Sequence, residues 1–386
     1  MSSDLILVAF SLFTWGIGEG MFFYFQPIYL QELGADPLQI GAVLGGVGAM
    51  MMIAHIPAGY LADRVGRRQM MWLAWVLGVA AAWLMALGTS LPIFTAGLLI
   101  YGLTGFVTVP MNSYITAARG KWTVGRAIMI ISAVYNLGMV IGPLLGGFVG
   151  QRYGLRPIFL ISAIVFILST LMILFIHPQP LEIQAENEKR NGFLSNPRYL
   201  TYLGAVLLAV FATYLPQPLS QNFLANERGL SLAAIGGLTS LTGLGVATIN
   251  LALGYLDARL GFLLAQAAVG MFALLLWKGS GIPWYGLGYF LMGGYKTTRS
   301  LAVAQTRTLV NAAQMGLAYG VTETVGAMAT IVAPLFAGYL YTFNPTWVYS
   351  VSVGVTLISI LVSKRYSPSR SPSEGPVQGK TMPITE

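Results

Sequence analysis

The sequence predicts an all-α membrane protein, with twelve transmembrane helices in two pseudo-symmetric six-helix bundles. Three observations lead there. The 386-residue chain is 56% hydrophobic and only 9% charged, with a mean hydropathy of +0.70, whereas a water-soluble domain carries about 25% charged residues. It divides into apolar stretches of membrane-spanning length. Patterns in its first half recur in the second at nearly the same offset.

A membrane helix needs roughly 20 apolar residues. Reading for that length gives spans at 5–31, 37–60, 70–89, 92–118, 124–150, 156–177, 199–223, 231–256, 262–280, 284–308, 315–341 and 345–363. The first carries Glu19 near its middle, within Gly16-Ile17-Gly18-Glu19-Gly20. The second runs into Gly59-Tyr60-Leu61-Ala62-Asp63-Arg64-Val65-Gly66-Arg67-Arg68, where ten residues hold four charges, and that density marks a short loop at a membrane surface. The fifth contains Gly138-Met139-Val140-Ile141-Gly142-Pro143-Leu144-Leu145-Gly146-Gly147. Small residues four apart let helices approach closely, and Pro143 with its glycines is expected to kink the helix.

The polar stretch 178–198, with Glu182, Glu186, Glu188, Lys189 and Arg190, separates the sixth span from the seventh. In the seventh, Pro216 and Pro218 are placed to break the helix near its outer end. A degraded echo of the charged loop, Gly254-Tyr255-Leu256-Asp257-Ala258-Arg259-Leu260-Gly261, follows the eighth. In the eleventh, Ala329 through Gly338 lines up with the glycine pattern of the fifth, Pro334 matching Pro143. The expected organisation is therefore a first bundle at 1–177, a linker at 178–198, a second bundle at 199–364 and a disordered tail at 365–386, rich in Ser and Pro.

Lys and Arg in the loops set orientation. With a cytoplasmic N-terminus, fifteen fall inside (Arg64, Arg67, Arg68, Arg119, Lys121, Arg126, Lys189, Arg190, Arg198, Arg259, Arg307, Lys364, Arg365, Arg370, Lys380) and four outside (Arg152, Arg156, Arg228, Lys278). Both termini and the linker are expected in the cytoplasm, in the plasma (inner) membrane. The N-terminus lacks a basic region and a small-residue cleavage site, so the first span reads as a retained helix. The net charge of +8 is scattered singly among apolar spans, which argues against a nucleic-acid partner. Zero cysteines exclude disulfides, thiolate metal sites and cysteine catalysis. No nucleotide loop, metal cluster or nucleophile–base spacing is apparent. The reading is therefore of a non-enzyme without cofactor or metal, monomeric in the bilayer.

The motif G-x-x-x-D-R-x-G-R-R at Gly59–Arg68 resembles the signature loop between the second and third helices of the major facilitator superfamily of transporters. The resemblance extends over the chain up to the tail. It implies a cytoplasmic latch between the bundles, formed by Gly59, Asp63, Arg64, Gly66, Arg67 and Arg68. The motif Gly138, Gly142, Pro143, Gly146, Gly147 resembles that of the twelve-helix drug:proton antiporters of the superfamily. One departure stands out: the arginine usual in the middle of helix 4 is absent, and Leu99 through Gly105 contain no basic residue.

Charges at bilayer depth are costly, at least about 2.5–3.5 kcal/mol each, and mark function. Those in the spans are Glu19, Lys296, Arg299 and Glu323. The superfamily fold lines its central cavity with helices 1, 4, 7 and 10. It thus implies that Glu19 and Lys296 face one cavity from opposite bundles, and that Arg299 and Glu323 form a buried structural ion pair. A carboxyl in an apolar cavity can load and release a proton near neutral pH, so Glu19 is the candidate for proton coupling. Further substrate-binding candidates on the lining helices are Gln26, Asn112, Tyr114, Tyr214, Gln217, Gln221, Lys296 and Arg299, with Tyr135 and Asn136 from helix 5. Met50-Met51-Met52 reads as adaptable packing, and His55 and His177 as helix-end residues.

The expected function is secondary active transport of a small molecule by alternating access, with the proton as coupling ion, in the sense of antiport or efflux. The alternative within that class is a carrier of an anionic solute or lipid using Lys296 and Arg299. An alternative of another class is a receptor or scaffold with the same fold that no longer transports.

Overall fold

The computed structural model describes residues 3–178, 196–310 and 315–368, without side chains over 55–63 and 315–317. The linker at 179–195 and the tail beyond 368 lie outside the described residues. Every described element is helical. Among the described residues, ten helical spans are long and apolar enough to cross a membrane, and two more rods are built from interrupted helix pairs.

The rods follow in chain order. The first comprises α1 (Ser3–Phe23) and α2 (Gln26–Glu32), and α3 (Pro37–Val65) and α4 (Arg67–Leu87) are the next two. The fourth joins α5 (Leu91–Leu103) to α6 (Thr108–Ala118) through a 3-10 turn at Thr104–Val107. Then come α7 (Val124–Tyr153) and α8 (Arg156–Leu174). In the second half, α9 (Pro197–Tyr214) and α10 (Ser220–Asn226) form the seventh rod, followed by α11 (Leu232–Gly254) and α12 (Ala258–Lys278). The tenth rod is α13 (Ile282–Met292) with α14 (Gly294–Thr306), and α15 (Met315–Phe343) and α16 (Pro345–Tyr366) complete the bundle.

The interruptions fall in the first, fourth, seventh and tenth rods, at Tyr24–Phe25, Thr104–Val107, Leu215–Leu219 and Gly293. Pro216 and Pro218 lie inside the third of these breaks, where each removes a backbone donor. By contrast α7 runs unbroken through Pro143, and α15 through Pro334.

Two boundaries differ from expectation. Asn196 caps α9 by accepting from the Arg198 backbone N–H, so the helix starts at Pro197, inside the stretch read as linker. The charged segment after the second span is not a loop. Helix α3 continues through Asp63 and Arg64 to Val65, and α4 begins at Arg67. One residue makes the turn: Gly66 at φ 104, a conformation that favours glycine. Charge density located the membrane surface but not the elbow.

The outward faces are apolar. Leu73, Val76, Phe148, Ile164, Leu251 and Leu361 are all more than half exposed, a belt suited to lipid rather than water. The halves meet mainly through α3 against α15, α7 against α11 and α2 against α10. The cross-half hydrogen bonds among the described residues lie toward one end of the molecule, and the close glycine approaches run from there to mid-helix, where Gly243 faces Val140. A Cβ on Gly45 would stand 2.6 Å from the Ile331 carbonyl oxygen, and one on Gly147 2.7 Å from that of Leu232. Gly41 packs on Pro334, Gly338 on Pro37, and Gly236 on Pro143 in the same fashion. Gln31 Oε1 accepts from Asn222 Nδ2 at 2.6 Å and from Asn226 Nδ2 at 2.9 Å. The halves are thus joined at this end, while the described contacts leave them apart at the end that carries the Gly66 elbow and the N-terminus.

Candidate functional site

Helix α1 is seated in its own half by glycines. Gly16 and Gly20 face α7, against Gly138, Gly142 and Pro143, while Gly18 faces Phe166 of α8. The three glycines around Glu19 therefore serve close packing rather than the backbone access and flexibility their cluster suggested. Trp15, one turn before Glu19, stacks on Phe166 with ring centroids 4.0 Å apart and lies 5.2 Å from Trp75. Trp75 donates to Ser169 Oγ at 3.0 Å, and Ser11 and Ser169 bond to each other across α1 and α8. This framework fixes the face that Glu19 presents.

That face borders a cavity of about 490 Å³ lined by residues of the first half. Glu19 is the only charged side chain among its lining residues; Trp15, Phe23, Met51, Trp75, Tyr101 and Met111 supply much of the apolar wall. Tyr135 donates its hydroxyl to Glu19 Oε2 at 2.8 Å, and Tyr101 and Trp15 line the same cavity. A carboxylate here would be met by neutral donors, and a protonated acid could remain in place. Gln26, 4% exposed, and Asn112 share the cavity wall.

Other candidates lie elsewhere. Tyr114 is fully buried and donates to the His177 carbonyl at 2.7 Å, so it ties the ends of α6 and α8 together and does not line the cavity. A lining helix has two faces, and its number does not say which one a tyrosine takes. Asn136 bonds back to Ser132 of its own helix. Gln217 donates to the Thr213 carbonyl. Gln221 is buried in α10 at the joined end.

The charged candidates of the second half lie on α14 and α15. Arg299 pairs with Glu323, Nη2 to Oε2 at 2.6 Å, but the side chains are 40% and 44% exposed. The pair is thus not buried as expected. Lys296, one turn earlier on α14, is half-buried and forms no ion pair among the described residues. The Tyr214 and Tyr295 rings lie 6.4 Å apart.

At the Gly66 elbow, Arg67 reaches the Ser113 carbonyl at 3.4 Å and Arg68 covers the Trp72 ring at 4.4 Å. Both contacts stay within the first half. The side chain of Asp63 lies outside the described residues.

Sequence reasoning missed two neighbours of Glu19. Tyr101 sits in the segment without an arginine and lines the same cavity from the fourth rod. Trp15 lies one helical turn from Glu19, a spacing that was available to read.

Comparison with known proteins agrees with this architecture. The model of the Major Facilitator Superfamily matches residues 8–294 and 202–386. The chain is similar to the quinolone resistance protein NorA of Staphylococcus aureus, 20% identical over 380 residues, which cover 94% of this chain and 96% of that one. Among solved structures it is similar to a mutant of the nucleoside transporter NupG, with a TM-score of 0.83 at 15% identity, over 94% of this chain and 100% of that one. A bacterial homolog of the human lysosomal transporter Spinster, in an inward-facing and occupied conformation, gives a TM-score of 0.71 at 15% identity, over 94% of each chain.

Proposed function

The chain belongs to the Major Facilitator Superfamily, an integral membrane transporter rather than an enzyme, and on that premise we propose that it exports a small molecule by proton-coupled antiport. The two halves rock about the central cleft and expose it to each side in turn. With both termini in the cytoplasm, as the Lys and Arg distribution argues, the joined end is extracellular and the structure is inward-open.

One observation carries the reading: a lone acid, Glu19, on the cavity wall, held by the Tyr135 hydroxyl. An acid so placed takes a proton or a ligand group, but not both at once, and that exclusion is the logic of exchange. The similarity to NorA supports the direction of export and a drug-like substrate. The Gly59–Arg68 segment would latch the halves on the cytoplasmic side when the carrier faces outward.

The test uses the full chain in proteoliposomes under an imposed pH gradient, with a fluoroquinolone, ethidium and a nucleoside as probes. Glu19→Gln is expected to abolish gradient-driven movement and to leave gradient-independent counterflow within about threefold. Gradient-driven transport that survives this substitution removes Glu19 as the coupling site.

A second reading rests on Lys296, which forms no ion pair among the described residues. A carboxylate or phosphate would satisfy it, and the carrier would then move an anion.

A further inference from the structure

Helices α7 and α11 keep a readable register where they touch. Gln151 of α7 accepts from the Leu232 backbone N–H at 3.1 Å. One helical turn further into the membrane, a Cβ on Gly147 would stand 3.2 Å from Ala233 and 3.1 Å from Gly236. Gly236 packs in turn on Pro143, and Gly243 faces Val140. The helices are antiparallel, so each turn along α7 toward the cytoplasm is matched by one turn along α11. The contact ends at Val140 and Gly243. Beyond them no hydrogen bond among the described residues joins the two helices, and a Cβ on Gly125 or Gly254 would meet nothing within 4 Å.

Helical spacing carries both contact faces on past that point. On α7 the face continues from Val140 through Asn136 and Ala133 to Met129, and on α11 from Gly243 through Ala247 and Asn250 to Gly254. These continuations are open: Ala133, Met129, Ala247, Asn250 and Gly254 are exposed, and Asn136 is half-buried. They do not have the composition of a lipid face. Asn136 Nδ2 donates to the Ser132 carbonyl at 2.8 Å and to its hydroxyl at 3.3 Å, within its own helix. Asn250 Oδ1 accepts from Thr297 at 2.5 Å, and its amide N–H₂ has no partner among the described residues. An amide that leaves water needs a new partner. Carried on unchanged, the register sets Asn250 beside Ser132 and Ala133, and Asn136 between Gly243 and Ala247. Alanine and glycine on both faces allow the helices to come as close there as they do at the glycine seam.

We propose that the exposed face of α11 from Ala247 to Gly254 is the landing surface for the face of α7 from Met129 to Asn136 when the carrier shuts toward the cytoplasm. Alternating access requires a closure at that end; continuity with the seam says which residues make it. The pair rocks about the Val140–Gly243 contact, so the outer glycines part as the inner small residues meet. In the shut state the Asn250 amide donates to the Ser132 hydroxyl. Asn136 and Asn250 thereby belong to the gate, and Asn136 is not a substrate contact. The proposal rests on alternating access, and neither on Glu19 nor on the coupling ion.

The test is disulfide trapping in the full chain, which has no cysteine of its own, in proteoliposomes under a mild oxidant. Ala133→Cys with Ala247→Cys is an in-register pair and is expected to cross-link. Met129→Cys with Ala247→Cys lies one turn out of register, about 6 Å along the axis, and is expected to react at least about tenfold more slowly, since a disulfide tolerates little extra separation. The in-register cross-link is expected to arrest transport, and reductant to restore it. Asn250→Ala is expected to slow that cross-link by about five- to tenfold. Thr297→Val removes only the bond that Asn250 makes in the open state, and is expected to leave the rate within about twofold of the parent pair. Equal rates for the two cysteine pairs overturn the proposal. So does the lack of an in-register cross-link, or transport that persists in the cross-linked protein. An Asn250→Ala rate equal to that of the parent pair removes the amide from the gate. The cross-link forms without a ligand, so the two readings fail separately. A missing cross-link with Glu19-dependent transport intact sinks this inference alone, and a cross-link in a carrier indifferent to Glu19→Gln sinks only the coupling reading.

Discussion

The two ends of the bundle are held by different physics. At the joined end the halves touch backbone to backbone. Glycines on α3 and α11 lie against carbonyl oxygens of α15 and α7, and three amide side chains bridge α2 to α10. No ion pair crosses between the halves there among the described residues. At the other end the described polar contacts stay within a half: Arg67 on Ser113, Arg68 on Trp72, and His177 on Asp4 at 2.9 Å. Shape holds one end. Charge is stationed at the other. A contact built on shape is lost by adding a methyl group, whereas one built on surface charge tolerates substitution and is screened by salt.

The largest expected effect comes from filling the glycine seam. Gly45→Val places atoms where the Ile331 carbonyl already stands 2.6 Å from an ideal Cβ. Overpacking of this kind costs about 1–3 kcal/mol, so transport in proteoliposomes should fall by about ten- to a hundredfold. Pairs of spin labels across the joined end should show it held open. Full activity with unchanged label distances would mean that the seam does not control closure. Since the chain contains no cysteine, such labels attach only where introduced.

A smaller effect is expected from Gln31→Ala, which removes the shared acceptor of Asn222 and Asn226. At about 1 kcal/mol per net hydrogen bond, losing both should lower the closed-to-open ratio at this end by about thirtyfold at most, again read by label distances. An unchanged population would assign closure to the glycines alone.

At the opposite end, Gly66→Ala must hold a non-glycine residue at φ 104, a strain of about 1–2 kcal/mol. The melting temperature should fall by a few degrees. A melting temperature equal to wild type would show that the elbow can reform with another turn. The smallest effect is expected from Arg68→Gln, which loses the stack on Trp72, worth about 0.5–1 kcal/mol. Unlike the seam variants, it should leave the label distances at the joined end unaltered.

This contrast was half legible in the residues. The glycine patterns at Gly138–Gly147 and Ala329–Gly338 announce close packing, and small residues four apart have few other uses in a membrane helix. Their partners were not legible, because which face of α7 meets α1 and which meets α11 depends on how the halves dock. The breaks of the first, fourth and tenth rods went unread. The prolines of the seventh and the Gly293-Gly294 pair of the tenth give local signals, the latter where the chain presses on Gly245 of α11. Glu19 was conspicuous as an acid among apolar residues, and so was Lys296. Tyr114 was misassigned because its fate turned on a single carbonyl, that of His177, sixty-three positions away.

Helix α7 carries a consequence of its own. One of its faces meets α1 at Gly138 and Gly142, within a turn of Glu19; another meets the opposite half through Pro143 and Gly147. A single unbroken shaft therefore connects the acid to the seam, gripped without side-chain cushioning at both points. Such a linkage has little free play. When a proton or a ligand arrives at Glu19, the rearrangement there and the parting of the seam should register as one kinetic phase, not as two events separated by a delay.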